Sequence, residues 1–291
     1  MVLRMLLLAA LLSTACASFE LKEDHFFHPG PAQSTTPIDV PGGQVEQREV
    51  MSTDGTPIRG AFVGTADAEV DIIYFGGNDS RVDDHGAFIA RAMSPLRANL
   101  YLFDYRGYGR SGGTPTIAAL KQDALAIYDA VRAQAVSRPV IVHGFSLGSF
   151  MAGYVATNRP VDGLVLEATA PDVQRWASNQ IPMYAKPVVR LRIAPALLEE
   201  SNEKVVQEYT GPLMLVTGAA DPVTPPKFTN ALLKASRSAK KRAVIVEGRT
   251  HGNAMQSDVA MKEYAKFLDE VRNAGVPPAE QGASRSGSGR E

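Results

Sequence analysis

The chain has 291 residues, of which 45% are hydrophobic, 21% charged and 7% aromatic, and its formal net charge at pH 7 is -1. This composition is typical of a globular protein and excludes the collagenous and largely disordered classes, while the balanced charge gives no basic surface for nucleic acid. With one cysteine, Cys16, the chain can form neither an internal disulfide framework nor a multi-thiolate zinc site.

The N-terminal residues have the pattern of an export signal. Arg4 forms a short basic start, and residues 5–12 are an apolar run that is too short to span a bilayer. Small residues follow this run, as they do before a signal-peptide cleavage site. We therefore expect residues 1–17 to be a signal peptide and the protein to be exported.

Two kinds of processing fit the small residues after the apolar run. Cleavage after Ala17 would release an ordinary periplasmic or secreted protein. Alternatively, residues 13–16 resemble a bacterial lipobox, in which Cys16 becomes the acylated N-terminus, although Ser13 stands where that pattern prefers leucine. The resemblance favours a lipoprotein of the cell envelope, anchored to the membrane through Cys16.

Two flanking segments lack the pattern of a folded domain. Residues 18–44 are rich in Pro, Gly, Ser and Thr without a sustained hydrophobic period, which predicts a linker. Residues 276–291 have almost no apolar content, which predicts a disordered tail. The remaining residues, 45–275, are expected to form one domain.

Short apolar runs alternate with helical patterns through this domain. A turn at residues 53–57 separates two strand-like segments and predicts an antiparallel hairpin over 44–51 and 58–63. The further predicted strands are 70–75, 99–103, 140–142, 163–166, 213–217 and 243–246, and the predicted helices are 84–93, 117–135, 149–157 and 261–273. Such alternation predicts a mostly parallel sheet with helices on both faces. Functional residues are then expected beyond the carboxyl ends of the strands.

The segment around Ser146 has the pattern of a nucleophile elbow. From residue 140 the sequence reads VIVHGFSLGS, which is a buried strand, Gly-x-Ser-x-Gly and the start of a helix. Gly144 and Gly148 lack the side chains that would block such a sharp turn. Ser146 would lie at a helix N-terminus, where the Leu147 N–H can donate to an oxyanion. The alternative is an ordinary turn in which Ser146 caps the helix.

Three motifs, in this order, resemble those of the α/β-hydrolases. They are Gly76-Gly77-Asn78, the run DYRGYGRS that begins at Asp104, and Gly-x-Ser-x-Gly at 144–148. The second is similar to the branch that includes the alpha/beta-hydrolase-domain lipases and Bem46-like proteins. The resemblance covers residues 45–272 and implies the α/β-hydrolase fold, but it does not identify a substrate. The glycines of DYRGYGRS lack the spacing of a dinucleotide site, so we expect a structural loop there.

The same resemblance implies an acid and a histidine that complete a triad with Ser146. Asp221 stands in a loop just past a predicted strand, and His251 follows the next strand. The chain order Ser, Asp, His matches that of the α/β-hydrolases. His251 would accept the serine proton while Asp221 fixes its tautomer. The alternative for Asp221 is a turn-forming role. A second histidine, His143, lies on the strand just before Ser146, and we expect it to be a core residue and not the base.

The loop after residue 75 is expected to complete an oxyanion hole with Leu147. The glycines allow the backbone to approach a substrate carbonyl, and the amide of Asn78 or Gly77 would donate. The family usually has His-Gly at the position of Gly76-Gly77, so the absence of the histidine leaves the rigidity of this loop open. A simple β-turn is the alternative.

A segment without sheet rhythm, residues 170–211, is predicted to be a small cap over the serine. It contains several apolar residues, and an apolar cap would favour a hydrophobic acyl group. Packing on the sheet edge alone is the alternative.

The residues together predict a serine hydrolase that cleaves a carboxylic ester or thioester through an acyl-enzyme. An acyltransferase or peptidase could use the same triad, and a non-catalytic envelope binding protein of this fold is the alternative of a different class. We expect a small-molecule or lipid-like substrate, no nucleic acid, no metal and no cofactor, because no metal-ligand cluster or nucleotide loop is found in the sequence.

Overall fold

The computed structural model describes residues 17–40, 42–135 and 137–274. Cys16, nearly all of the predicted signal peptide and the predicted tail lie outside the described residues. In the part of the chain that is described, no helix has the length and apolar character needed to cross a membrane.

The domain is built on a central sheet of eight strands with helices on both faces. The strands of the chain are β1 (Ala17–Leu21), β2 (Gly43–Met51), β3 (Pro57–Thr65), β4 (Val70–Phe75), β5 (Ala98–Phe103), β6 (Val140–Phe145), β7 (Gly163–Glu167), β8 (Val189–Ile193), β9 (Leu213–Gly218) and β10 (Lys241–Val246). The sheet order is β10-β9-β7-β6-β4-β5-β3-β2. The six strands from β10 to β5 pair in parallel, whereas β2 and β3 are antiparallel.

The helices connect these strands and cover the sheet. They are α1 (Glu23–Phe26), α2 (Val82–Met93), α3 (Ile117–Gln134), α4 (Leu147–Asn158), α5 (Val173–Gln180), α6 (Pro195–Leu198), α7 (Asn202–Glu208), α8 (Pro226–Ala235) and α9 (Asp258–Ala274), with 3-10 turns at Met183–Ala185 and Ala254–Gln256. Together with the sheet they form the predicted α/β-hydrolase architecture, so the predicted fold class is confirmed.

Two apolar cores lie on opposite faces of the sheet. Along β6, Val140 and Val142 belong to one core, whereas Ile141 between them belongs to the other. Both faces are covered, so β4, β7 and β9 are buried along their whole length. This explains why the central strands appear in the sequence as mainly apolar runs.

The predicted linker over residues 18–44 is wrong for its first part. Residues 17–21 form β1, which pairs in parallel with β8, and α1 follows directly. Leu21, Phe26 and Phe27 are buried in one of the two cores. Burial of these three apolar side chains offsets part of the entropy cost of ordering the segment, and the pairing of β1 with β8 adds backbone hydrogen bonds.

The predicted cap at 170–211 consists of α5, β8, α6 and α7 with a 3-10 turn. Its strand β8 pairs with β1 in a separate two-stranded sheet. In addition, Trp176 of α5 makes an edge-to-face contact with Phe26, with ring centroids 5.5 Å apart. The cap and the N-terminal segment therefore form one layer at the carboxyl end of the large sheet.

Candidate active site

Ser146 lies on a strained turn between β6 and α4. Its backbone has φ 52° and ψ -113°, a conformation that residues other than glycine rarely adopt. The turn needs glycine on both sides. A Cβ at Gly148 would lie 2.0 Å from the Phe75 carbonyl oxygen, and one at Gly144 would lie 2.2 Å from the Gly148 oxygen. The Gly-x-Ser-x-Gly pattern therefore allows the backbone packing that exposes the serine hydroxyl above the sheet.

The three residues predicted as a triad are in hydrogen-bond contact. His251 Nε2 lies 3.0 Å from Ser146 Oγ, and His251 Nδ1 lies 2.8 Å from Asp221 Oδ2. Asp221 follows β9 and its side chain is fully buried, whereas His251 follows β10 and is partly exposed. Three loops at the carboxyl ends of parallel strands thus bring together residues that are up to 105 positions apart.

The carboxylate of Asp221 is also held by Thr224, which the sequence did not suggest. Asp221 Oδ1 accepts the backbone N–H groups of Val223 at 2.8 Å and Thr224 at 2.9 Å. The Thr224 hydroxyl donates to Asp221 Oδ2 at 2.7 Å and lies 3.2 Å from His251 Nδ1. Burial acts to raise the pKa of Asp221, but the hydrogen bond and charge of His251 together with Thr224 outweigh it and hold the pKa below its ordinary value.

Two backbone amides are available above Ser146 for a substrate oxyanion. The Leu147 N–H is the first of α4, where the helix dipole favours negative charge. On the opposite side, Gly77 lies so close that a Cβ there would be 3.7 Å from Ser146 Cβ. The Gly77 N–H is already taken, because it donates to Ser80 Oγ at 2.9 Å. Of the two predicted donors in this loop, Asn78 is therefore the one whose N–H has no acceptor among the described residues.

His143, the other histidine near the serine, is a core residue. Its side chain is fully buried, with Nε2 3.1 Å from Glu167 Oε2 and Nδ1 3.2 Å from the Tyr264 hydroxyl. Glu167 in turn accepts the Ser146 N–H on its carbonyl oxygen at 2.9 Å. The buried pair of His143 and Glu167 therefore contacts the turn through the hydrogen bond between the Glu167 backbone and the Ser146 N–H.

The first two family matches cover most of the described domain. The family described as serine aminopeptidase, S33, matches residues 82–202, and the family described as TAP-like protein matches residues 194–278. Among solved structures, the Pyrococcus furiosus esterase Pf2001 has a TM-score of 0.64 at 17% sequence identity and covers 84% of this chain and 98% of its own. The chain is a member of the α/β-hydrolase superfamily.

Several proteins are similar to this α/β-hydrolase in sequence. Protein ABHD12B of Homo sapiens is 30% identical over 243 residues, which are 76% of this chain and 63% of that protein. The uncharacterized protein YfhR of Escherichia coli K12 is 26% identical over 244 residues, 78% of this chain and 82% of that protein. The lysophosphatidylserine lipase ABHD12 of Macaca fascicularis is 29% identical over 167 residues, 53% of this chain, but the match spans only 42% of the lipase.

A cavity of about 1120 Å³ opens above Ser146 in this α/β-hydrolase. One wall is formed by the N-terminal segment, the cap and α4, and the opposite wall is formed by α2 and the 3-10 turn after His251. The first wall includes Phe19, Leu21, Phe26, Phe150, Val173 and Trp176, and the second includes Phe88, Ile89, Met93 and Met255. The two walls belong to the two opposite faces of the sheet, so the cavity extends across its carboxyl edge.

The run DYRGYGRS lies next to the loop that begins at Gly76 and serves as a structural element there. The Tyr105 hydroxyl donates to the Gly76 carbonyl oxygen at 2.8 Å. Asp104 Oδ1 accepts the Val82 N–H at 2.7 Å, and a Cβ at Gly109 would lie 2.3 Å from Asp104 Oδ2. Among the residues that the structure describes, no group of three His, Cys, Asp or Glu side chains could hold a metal ion.

Proposed function

We propose that this protein is a serine hydrolase that cleaves a carboxylic ester or thioester through an acyl-enzyme. The observation that carries the proposal is the continuous hydrogen-bonded path from Asp221 through His251 to Ser146 on a strained turn. A binding protein would need neither the strain nor this path. Both are what acyl transfer to a serine requires.

Acylation follows from the arrangement of these groups. Ser146 Oγ attacks the substrate carbonyl carbon as its proton moves to His251 Nε2, and the carbonyl electron pair moves onto oxygen. The Leu147 and Asn78 N–H groups stabilise the resulting oxyanion. When the oxyanion collapses, the bond to the alcohol or thiol breaks, and the leaving group takes the proton from His251.

Deacylation repeats these steps with water as the nucleophile. His251 takes a proton from water as the water oxygen attacks the ester carbon of the acyl-enzyme, and the same two amides hold the second oxyanion. Collapse releases the carboxylic acid and returns the proton to Ser146 Oγ. Asp221 stays ionised throughout because its pKa lies below its ordinary value, so it stabilises the imidazolium in both halves of the reaction.

The walls of the cavity favour a substrate with a hydrophobic acyl group or a lipid-like substrate. Aromatic and aliphatic side chains line both sides of Ser146, and such surfaces bind hydrocarbon by removing it from water. The similarity to a protein named lysophosphatidylserine lipase supports a lipid-like ester. The mainly apolar walls favour an ester of this kind over a peptide.

A fluorophosphonate probe tests the reaction class directly. We expect the wild-type protein to be labelled and Ser146→Ala to be unlabelled, with ester hydrolysis reduced about 10³-fold or more. Ser94→Ala, which changes an exposed serine at the end of α2, is the matched control and should be labelled like the wild type. A folded wild-type protein that resists labelling would overturn the proposal.

A panel of p-nitrophenyl esters and aminoacyl p-nitroanilides tests the substrate class. We expect kcat/KM to rise with acyl chain length beyond acetate, because each buried methylene contributes about 0.8 kcal/mol of transfer free energy. A preference for acetate over every longer chain contradicts the hydrophobic acyl site. Faster cleavage of the anilides than of the esters favours a peptidase instead.

We also propose that the protein is exported and anchored by lipid on Cys16. The support is the apolar run at residues 5–12 and the small residues before the cysteine. Metabolic labelling with an alkyne fatty acid should mark the wild type and not Cys16→Ser, and the variant should leave the membrane fraction. Ser18→Ala is the control. An unlabelled wild type in the soluble envelope fraction indicates ordinary cleavage after Ala17.

A further inference from the structure

The side chain of Asn78 is held by residues from outside its own loop. Its Oδ1 accepts the His28 N–H at 3.2 Å and the Tyr108 hydroxyl at 2.7 Å, and its Nδ2 donates to the Phe26 carbonyl oxygen. The His28 N–H also lies 2.7 Å from the Tyr108 oxygen. Two of the partners belong to the N-terminal segment, far from Asn78 in sequence.

Arg81 and Asp79 join the same segment to the same loop. The Arg81 guanidinium donates to the carbonyl oxygens of Gly30 at 3.0 Å, His28 at 2.8 Å and Asp79 at 3.0 Å. In addition, His28 Nδ1 lies 2.8 Å from Asp79 Oδ1. Arg81 is almost completely buried, so its three hydrogen bonds are shielded from competing water, whereas the His28–Asp79 contact lies at the surface.

Residues 26–30, which we term the brace, are themselves fixed. Phe26 and Phe27 are buried in the core below the cap. At the other end, the Gly30 N–H donates to the Gly107 oxygen and the Gly30 oxygen accepts the Gly109 N–H, both at 2.9 Å. The brace is therefore fastened at both ends and can hold the loop at 77–81 in one position.

We propose that the brace positions the Asn78 N–H for the oxyanion and thereby sets the rate of acyl transfer. This inference rests on the proposed function. Gly76 has no side chain with which to hold the loop, and the contact between Gly77 and Ser80 lies within the loop, so the position of the loop relative to Ser146 depends on contacts from other segments. Burial raises the pKa of Tyr108 far above its ordinary value, so its hydroxyl remains protonated and donates to Asn78.

The position of the amide matters because an oxyanion donor acts only at short range. Complete loss of one donor costs about 10²–10³-fold in kcat, and a small displacement costs part of this. In the ground state, the substrate carbonyl oxygen accepts a weaker hydrogen bond from the same amide. The brace should therefore affect kcat much more than KM.

Tyr108→Phe is the sharpest test, because it removes one oxygen from the contact between Asn78 and His28 and keeps the ring. We expect kcat for ester hydrolysis to fall about tenfold and KM to change less than about twofold. Tyr128→Phe is the matched control, since it removes the hydroxyl of another buried tyrosine, which donates to the Pro160 oxygen outside the cavity. The control should keep the wild-type kcat.

Inhibitor binding separates positioning from a general loss of stability. An alkyl trifluoromethyl ketone forms a tetrahedral adduct with a catalytic serine, whereas the matching methyl ketone mainly tests ground-state binding. We expect the affinity of Tyr108→Phe for the trifluoromethyl ketone to fall in parallel with kcat. Its affinity for the methyl ketone should be unchanged. Hydrogen exchange of the amides at 77–81 should become faster in this variant and not in Tyr128→Phe.

Arg81→Met provides a second variant if Tyr108→Phe folds poorly, because it keeps an apolar stem of similar length and removes the three guanidinium bonds. The same fall in kcat and in trifluoromethyl ketone affinity is expected. Folded variants with wild-type kcat and wild-type inhibitor affinity would overturn the role of the brace while leaving the proposed function intact. A folded wild-type protein that neither hydrolyses esters nor reacts with the fluorophosphonate overturns both.

Discussion

At the scale of single residues, Thr224 stabilises the position of both the acid and the base of the proposed triad. Its hydroxyl donates to Asp221 Oδ2 and lies within hydrogen-bond distance of His251 Nδ1. It therefore restricts the carboxylate to the orientation that faces the imidazole. The backbone N–H groups that bind Oδ1 do the same for the other oxygen.

We expect Thr224→Val to lower kcat about fivefold, because one hydrogen bond of about 1 kcal/mol is lost from the group that orients His251. KM should be nearly unchanged, since Asp221 does not line the cavity and valine keeps the size of the Thr224 side chain, which does. Thr224→Ser keeps the hydroxyl and is the matched control. Steady-state kinetics of the wild type, Thr224→Val and Thr224→Ser on one ester measure this effect. Equal kcat values for the two variants would contradict the role of the hydroxyl.

The lowered pKa of Asp221 predicts how the stability of the fold depends on pH. A carboxyl whose folded-state pKa lies below its unfolded value stabilises the fold fully above the unfolded pKa of about 3.9. That stabilisation is lost as the pH falls through the folded-state pKa. Asn at this position cannot titrate, so the wild type should lose stability relative to Asp221→Asn in acid.

Urea unfolding of both proteins between about pH 3 and pH 8 measures this difference. We expect the free energy of unfolding of the wild type, minus that of Asp221→Asn, to decrease as the pH falls below about 4. Ser146→Ala keeps the Asp221–His251 pair and should follow the wild type. A difference that stays constant, or that grows in acid, would show that the pKa is not lowered.

At the scale of elements, a buried ion pair ties α3 to the loop that follows β5. Arg106 makes a two-bond contact with Asp123, with Nε–Oδ2 2.7 Å and Nη2–Oδ1 2.6 Å, and both side chains are buried. Arg106 also reaches Asp54 at 2.8 Å in the turn between β2 and β3. Three separate elements are therefore joined at one guanidinium.

We expect Asp123→Ala to lower the free energy of unfolding by about 3–5 kcal/mol, because it leaves a buried guanidinium without its main partner. The matched control is Asp129→Ala on the same helix, which breaks a similar two-bond pair with Arg159 at the surface. There the loss should be below about 1 kcal/mol. Urea unfolding gives both values, and similar losses for the two variants would contradict the effect of burial.

The elements of the sheet were predictable because their sequence signals are local. β4 has the predicted bounds, β9 extends one residue beyond the predicted end, and α9 begins three residues earlier and ends one residue later than predicted. The turn at Ser146 was also predictable, since its Gly-x-Ser-x-Gly pattern is local in sequence, although Gly148 is required by a contact with the Phe75 backbone of the neighbouring strand β4. The geometry agrees with the predicted grouping of Ser146, Asp221 and His251, whose catalytic roles remain predictions.

The contacts that could not be predicted are those between segments that are distant in sequence. β1 is five residues long and is stabilised by pairing with β8, about 170 positions later, so nothing in its own sequence marks it as a strand. For the same reason the brace gives no local signal, because its hydrogen bonds to Asn78 and Arg81 are formed by backbone groups of Phe26, His28 and Gly30. Every residue type except proline has both a backbone N–H and a backbone carbonyl oxygen, so these contacts do not restrict the sequence.

At the scale of the whole molecule, the cavity has two walls that belong to different faces of the sheet. Trp176 packs with the core on the face that carries α4, whereas Ile89 packs with the core on the other face. Both line the cavity, and Ser146 lies between the two faces at the end of β6. An ester bound at Ser146 has two arms, the acyl group and the alcohol, and each arm can follow one wall.

This arrangement predicts that the two walls select different parts of the substrate. Trp176→Ala and Ile89→Ala each remove apolar contact from one wall, and loss of such contact changes kcat/KM about tenfold or more for the arm that used it. We expect one variant to lower kcat/KM for esters with long acyl chains and the other for esters with long alcohols. A matrix of esters that varies one arm at a time measures both effects. If both variants weaken the same series, both walls contact the same arm of the substrate, which would contradict this division of the cavity.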